Sequence, residues 1–89
     1  MRKIKFLNIP GTQGREIEIF INENNYPIGK IIINDQVRGT WKIKPYFTVL
    51  IERRHEAVKE FFDMSKAANA LVNLYVYMNY WEDSLFKFD

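Results

Sequence analysis

The side chains able to do chemistry are few and scattered. His55 is the single histidine, set between Arg53-Arg54 and Glu56. An imidazole titrates near physiological pH and can serve as base or ligand. Here there is no HExxH spacing and no second histidine to complete a metal site. It reads as a solvated residue at a helix start. Gly11-Thr12-Gln13-Gly14-Arg15 could cradle an anion between backbone N–H groups and a guanidinium. It lacks a Lys-Ser/Thr pair after the second glycine and runs on into a strand pattern, so a hairpin turn is expected. Glu16 and Glu18 share a strand face; Glu52, Glu56 and Glu60 share a helical ridge. Paired carboxylates do acid–base work when burial perturbs one of them, and none lies in a run that implies burial. Ser65 and Ser84 have no base partner in the pattern. The chain has no Cys, which excludes thiolate nucleophiles, disulfides and Cys-ligated metals. The expectation is a non-enzyme with no cofactor and no metal.

Two constellations suit binding instead. The first is basic and aromatic: Arg38, Trp41, Lys42, Lys44, Tyr46, Arg53 and Arg54. Lysine and arginine neutralise phosphates, and aromatic rings stack on bases. Arg38, Lys42, Lys44, Arg53 and Arg54 are therefore candidate nucleic-acid contacts. Lys42 and Lys44 share one strand face, while Trp41 points to the other. The charge distribution agrees. Of the 13 Lys and Arg, ten fall in residues 1–54 against five acids, whereas 55–89 hold three against six. A polarised chain of this kind can present a basic face to a polyanion, or its halves can neutralise each other.

The second constellation is aromatic and apolar: Leu74, Tyr75, Tyr77, Met78, Tyr80 and Trp81, followed by Phe86 and Phe88. Such residues anchor protein interfaces. They are the candidate partner or dimer surface, with a core filled by the chain's own C-terminus as the competing reading.

These residues need elements to hold them. Eighty-nine residues make one domain of 1–89. Turns are marked by Pro10-Gly11 with Gly14, by Asn22 to Asn25, and by Asn34-Asp35 with Gly39. Between them lie strand-like runs at 4–9, 16–22, 28–33 and 40–44, and Gly29 suggests a bulge. Ile17, Ile19 and Ile21 alternate with Glu16, Glu18 and Phe20. Phe47, Val49 and Ile51 alternate again and suggest a fifth strand. From Arg53 onward there is no Gly or Pro. Ala57, Phe61, Met64, Ala68, Leu71, Tyr75 and Met78 recur in steps of four and three, which is a helical period. The prediction is α+β: an antiparallel meander of four to five strands over 1–51, one long amphipathic helix over 53–81 packed on it, and a tail over 82–89. A terminal strand over 73–81 is the alternative. From Leu71 to Trp81 the helix is apolar almost all round, which an 89-residue monomer has difficulty burying and a homodimer would cover. No apolar run reaches secretory-signal or membrane-span length, so a cytoplasmic protein without membrane contact is expected.

Over residues 15–62 the chain resembles small phage and plasmid proteins built from a three-stranded sheet and a helix. The arm-type DNA-binding domains of tyrosine integrases are similar. The likeness rests on the hairpin, Gly39-Thr40-Trp41-Lys42-Ile43-Lys44, and Glu56-Ala57-Val58 opening a helix. It implies DNA contacts from the exposed sheet residues Arg38, Lys42 and Lys44. The additional first strand, the insertion around Tyr46–Ile51 and the longer aromatic helix depart from that pattern and favour protein interaction. The functional expectation is a non-enzymatic protein-binding module, an accessory or inhibitor of mobile-element type, that self-associates or takes a foreign partner through the aromatic helix. A nucleic-acid-binding regulator is the alternative.

Overall fold

The computed structural model describes residues 3–21 and 25–87, with side chains described as far as residue 78. Four strands follow one another: β1 (Ile4–Asn8), β2 (Glu16–Ile21), β3 (Gly29–Asn34) and β4 (Thr40–Pro45). They form one antiparallel sheet in the order β1-β2-β3-β4. A 3-10 turn over Ile51–Arg53 and a single helical turn, α1 (Arg54–Ala57), lead to α2 (Met64–Lys87). The α+β prediction stands, with four strands rather than five.

The sheet is amphipathic because its strands alternate. Ile17, Ile19 and Ile21 of β2, Ile31 of β3 and Ile43 of β4 are buried beneath α2. The helix answers with Ala67, Ala68, Leu71, Val72 and Leu74. A fully buried Ile or Leu side chain contributes about 1.5–3 kcal/mol. The helix crosses β3 and β4, and a glycine admits it. A Cβ built on Gly29 would lie 2.6 Å from the Lys44 carbonyl oxygen and 3.1 Å from both Leu71 methyls. Gly29 is no bulge: it pairs regularly with Ile19 and Pro45. It is glycine because the Lys44 carbonyl, and then Leu71, sit where a side chain would be.

Three sequence expectations need correction. After Tyr46 N–H donates to the Ile28 carbonyl (3.0 Å) the ladder with β3 ends. Phe47 and Val49 pack on the core, but Ile51 turns out to solvent. Their alternation reflects packing, not a fifth strand. The helix over 53–81 is also broken. Residues 58–63 leave helical geometry, and α2 restarts at Met64 and runs to Lys87, through the expected tail. Asp63 is the reason for the restart. Its carboxylate accepts from the amides of Ser65 (2.6 Å) and Lys66 (3.2 Å), the arrangement of an N-cap. Met64 is consequently exposed rather than core, and Glu60 lies outside the ridge with Glu52 and Glu56. The 73–81 segment is helix, not strand. No helix among the described residues is long and apolar enough to cross a membrane.

Candidate protein-docking site

The link from β4 to α2 forms a strap that returns to the sheet. Phe61 N–H donates to the Trp41 carbonyl (2.9 Å), and Trp41 N–H donates to the Phe61 carbonyl (2.6 Å). This isolated bridge ties the strap to the outer edge of β4 before Asp63 caps α2. An open notch of about 350 Å³ remains between strap and helix. Phe61, Ala70 and Leu74 give it apolar walls; Arg53, Glu56, Lys59, Asn73 and Tyr77 give it polar ones.

Arg53 is held in place from two sides. Its guanidinium carbon lies 4.0 Å from the centroid of the Tyr77 ring, a cation–π stack. Its Nη1 donates to both Glu56 oxygens, at 3.1 and 3.2 Å. Tyr77 first, and then Glu56, push the Arg53 guanidinium above its ordinary value. Among the described residues Glu56 is the one carboxylate on this fixed planar cation, through Nη1, so its remaining donors can meet a second carboxylate at little conformational cost.

No family model matches this chain, and neither does any curated protein or solved structure. The site therefore rests on geometry alone.

That geometry redistributes the two predicted sets. Arg53, assigned by sequence to the basic surface, joins Tyr77 from the aromatic one. Leu74 and Met78 are buried within the chain; Leu74 shows only an edge to the notch, and neither presents a broad apolar surface. Tyr75 is half-buried and meets Phe47 edge-on, with centroids 5.3 Å apart. Tyr80 and Trp81 lie outside the described side chains. Much of the helix that seemed to need a second subunit, as far as residue 78, is covered by Phe47, Arg53 and the sheet.

Arg38, Lys42, Lys44 and Arg54 are exposed. Lys42 and Lys44 lie on the sheet face turned from α2, opposite Ile32 and Lys30 of β3. The acids of β2 share that face and are engaged. Glu16 accepts from Lys30, and Glu18 accepts from the Tyr46 hydroxyl at 2.9 Å. Burial, with Glu18 beside it, pushes the Tyr46 phenol up to about 12. Lys5 sits over the Phe20 ring, 4.8 Å from its centroid. Arg53 is on the helix side, so the five basic candidates do not form one surface.

The remaining chemical candidates separate. His55 is exposed on α1. Glu60 accepts from Asn34 Nδ2 at 3.2 Å. Among the described residues no three His, Cys, Asp or Glu gather as a metal site. Gly11 and Gly14 adopt φ of 82° and 77°, as a tight hairpin requires. Thr12 Oγ1 donates to the Ile9 carbonyl at 2.8 Å, and Arg15 is paired with Asp35.

Sequence reasoning missed three residues. Ile51, Val58 and Phe62 are 75%, 69% and 79% exposed, all on the strap. One signal was available. Phe61 and Phe62 are adjacent, and a single amphipathic stripe cannot hide both.

Proposed function

We propose that this chain is a non-enzymatic protein-binding module that docks a partner segment at the notch between strap and α2. The observation that carries this reading is the exposure of Ile51, Val58 and Phe62 on the strap that walls a notch with a pinned arginine. Isolated exposed apolar residues are ordinary; large ones concentrated on one short segment beside a concave site suit an interface. The notch chemistry favours a ligand segment with one large apolar side chain next to a carboxylate. The likeness of residues 15–62 to small phage and plasmid proteins supports an accessory or inhibitor role.

The test is a random peptide library panned on the immobilised chain. Selected peptides should carry an aromatic or long aliphatic residue beside Asp or Glu. Arg53→Ala and Phe62→Ser should each weaken them by about tenfold or more, as hot-spot truncations do, while Lys42→Ala should not. Binders indifferent to both variants would overturn the reading.

A second reading is nucleic-acid binding by the open sheet face. Lys42 and Lys44 are exposed two residues apart on β4, a spacing of about 6.6 Å, while the nearby carboxylates of β2 are occupied. In fluorescence anisotropy with duplex DNA, single-stranded DNA and RNA, Lys42→Ala with Lys44→Ala should weaken binding regardless of sequence and flatten its salt dependence. An unchanged salt slope would remove this reading.

A further inference from the structure

We propose that the notch takes the C-terminal residue of a partner chain, a free α-carboxylate joined to a large apolar side chain. This rests on the notch reading above and names its occupant. The charges of the lining set the sign of the ligand. Two cations, Arg53 and Lys59, face one carboxylate, Glu56. Glu56 is matched to Arg53, which leaves one positive charge for a ligand. Among the described residues neither the Lys59 ammonium nor the Asn73 amide has a hydrogen-bond or ion-pair partner. An ammonium, an amide and the remaining guanidinium donors in one concavity suit a single carboxylate.

Size and connectivity select a terminal residue. The notch holds about 350 Å³, near the lower end of the range for ligand pockets, about 300–1,000 Å³. That suits one large residue rather than a helix or a strand. A terminal residue carries its carboxylate and its side chain on the same Cα. Its side chain can meet Phe61, Ala70 and Leu74 while its carboxylate meets Lys59 and Asn73. Neighbouring internal residues of an extended chain point to opposite faces. An internal acid beside an apolar residue therefore enters as a pair only when the backbone bends, and is the weaker stand-in. Capture of a terminal carboxylate is a recurring mode of peptide recognition. The exposed Val58 and Phe62 adjoin the lining residues Lys59 and Phe61 in the chain. The strap thus offers apolar surface to the residues that precede the terminus, which a free small acid would leave unused.

The experiment uses the full chain and a synthetic hexapeptide library with free C-termini. Selected hexapeptides should end in Phe, Trp, Leu or Met. In fluorescence anisotropy, C-terminal amidation should weaken the best of them about tenfold or more, because hydrogen bonds to charged groups are lost. Lys59 is exposed, so Lys59→Gln leaves the fold intact. It should narrow the gap between acid and amide several-fold, and Arg53→Ala should narrow it further. Lys42→Ala should change nothing. The N-acetylated last residue alone should bind at least tenfold more weakly than its hexapeptide; equal affinity overturns the inference in favour of a small acid. Hexapeptides that bind equally as acid and amide, yet weaken with Arg53→Ala and Phe62→Ser, overturn the inference and leave the notch reading standing. An acid–amide gap that survives both Lys59→Gln and Arg53→Ala also overturns it, since the carboxylate is then read elsewhere. A library without binders, when internal segments too are indifferent to Arg53→Ala and Phe62→Ser, overturns both.

Discussion

Gly29→Ala is expected to cost about 3 kcal/mol, the upper end for forcing one methyl into a packed core. In a domain of this size that lowers the melting temperature by roughly 15 °C. The new Cβ would lie 2.6 Å from the Lys44 carbonyl oxygen and 3.1 Å from the Leu71 methyls. The oxygen belongs to the backbone of β4, so the strain falls on the β3–β4 pairing as well as on the helix contact. Urea unfolding should show a lower midpoint at unchanged slope. Leu71 provides the internal control. Leu71→Ala alone should cost about 2–5 kcal/mol through the cavity it leaves. Combined with Gly29→Ala, the loss should be smaller than the sum, because the missing methyls make room for the new one. Full recovery is not expected, since the Lys44 oxygen remains. A near-neutral Gly29→Ala would mean that Leu71 does not dock on β3 as described.

The same contact shows which parts of this fold could be read in advance. The β2 alternation of Ile17, Ile19 and Ile21 specified one buried face, and these three residues are core. Glycine at position 29 was visible, but its cause was not, because Leu71 is far away in the chain. Phe20 was assigned to the polar face of β2 and does lie there, yet it is buried under Lys5. Alternation reports the face and not the cover. The helical period from Ala57 to Met78 was genuine arithmetic with a misleading origin. Phe61 keeps phase with Ala68 and Leu71, but it is half-buried because it bridges to Trp41. The decisive local signal was Asp63, which acts as a cap. Arg53 could not be grouped with Tyr77 from the sequence, since their contact depends on where the strap folds back. The notch is a product of tertiary structure, and its lining comes from two stretches of chain, the strap and α2.

That dependence makes Phe61 the residue whose loss should remove the site while sparing the sheet. Phe61→Pro eliminates the donor to the Trp41 carbonyl and the ring that walls the notch. A lost backbone bond, an acceptor left without its partner and reduced apolar contact together cost about 3 kcal/mol. The cost should be local, because among the described residues this bridge is the strap's one backbone pairing with β4, while β1 to β4 are held by their own ladders. Hydrogen exchange separates the two outcomes. The Trp41 amide, which donates to the Phe61 carbonyl at 2.6 Å, should exchange about 100-fold faster, while the Ile19 and Ile31 amides keep most of their protection. Phe61→Ala keeps the donor and should accelerate Trp41 much less, although it shortens the apolar wall. Peptides selected on the wild-type chain should lose affinity for Phe61→Pro more than for Phe61→Ala. If Trp41 exchange is unchanged in the proline variant, the bridge does not hold the strap, and the pinned Arg53 must be what shapes the notch.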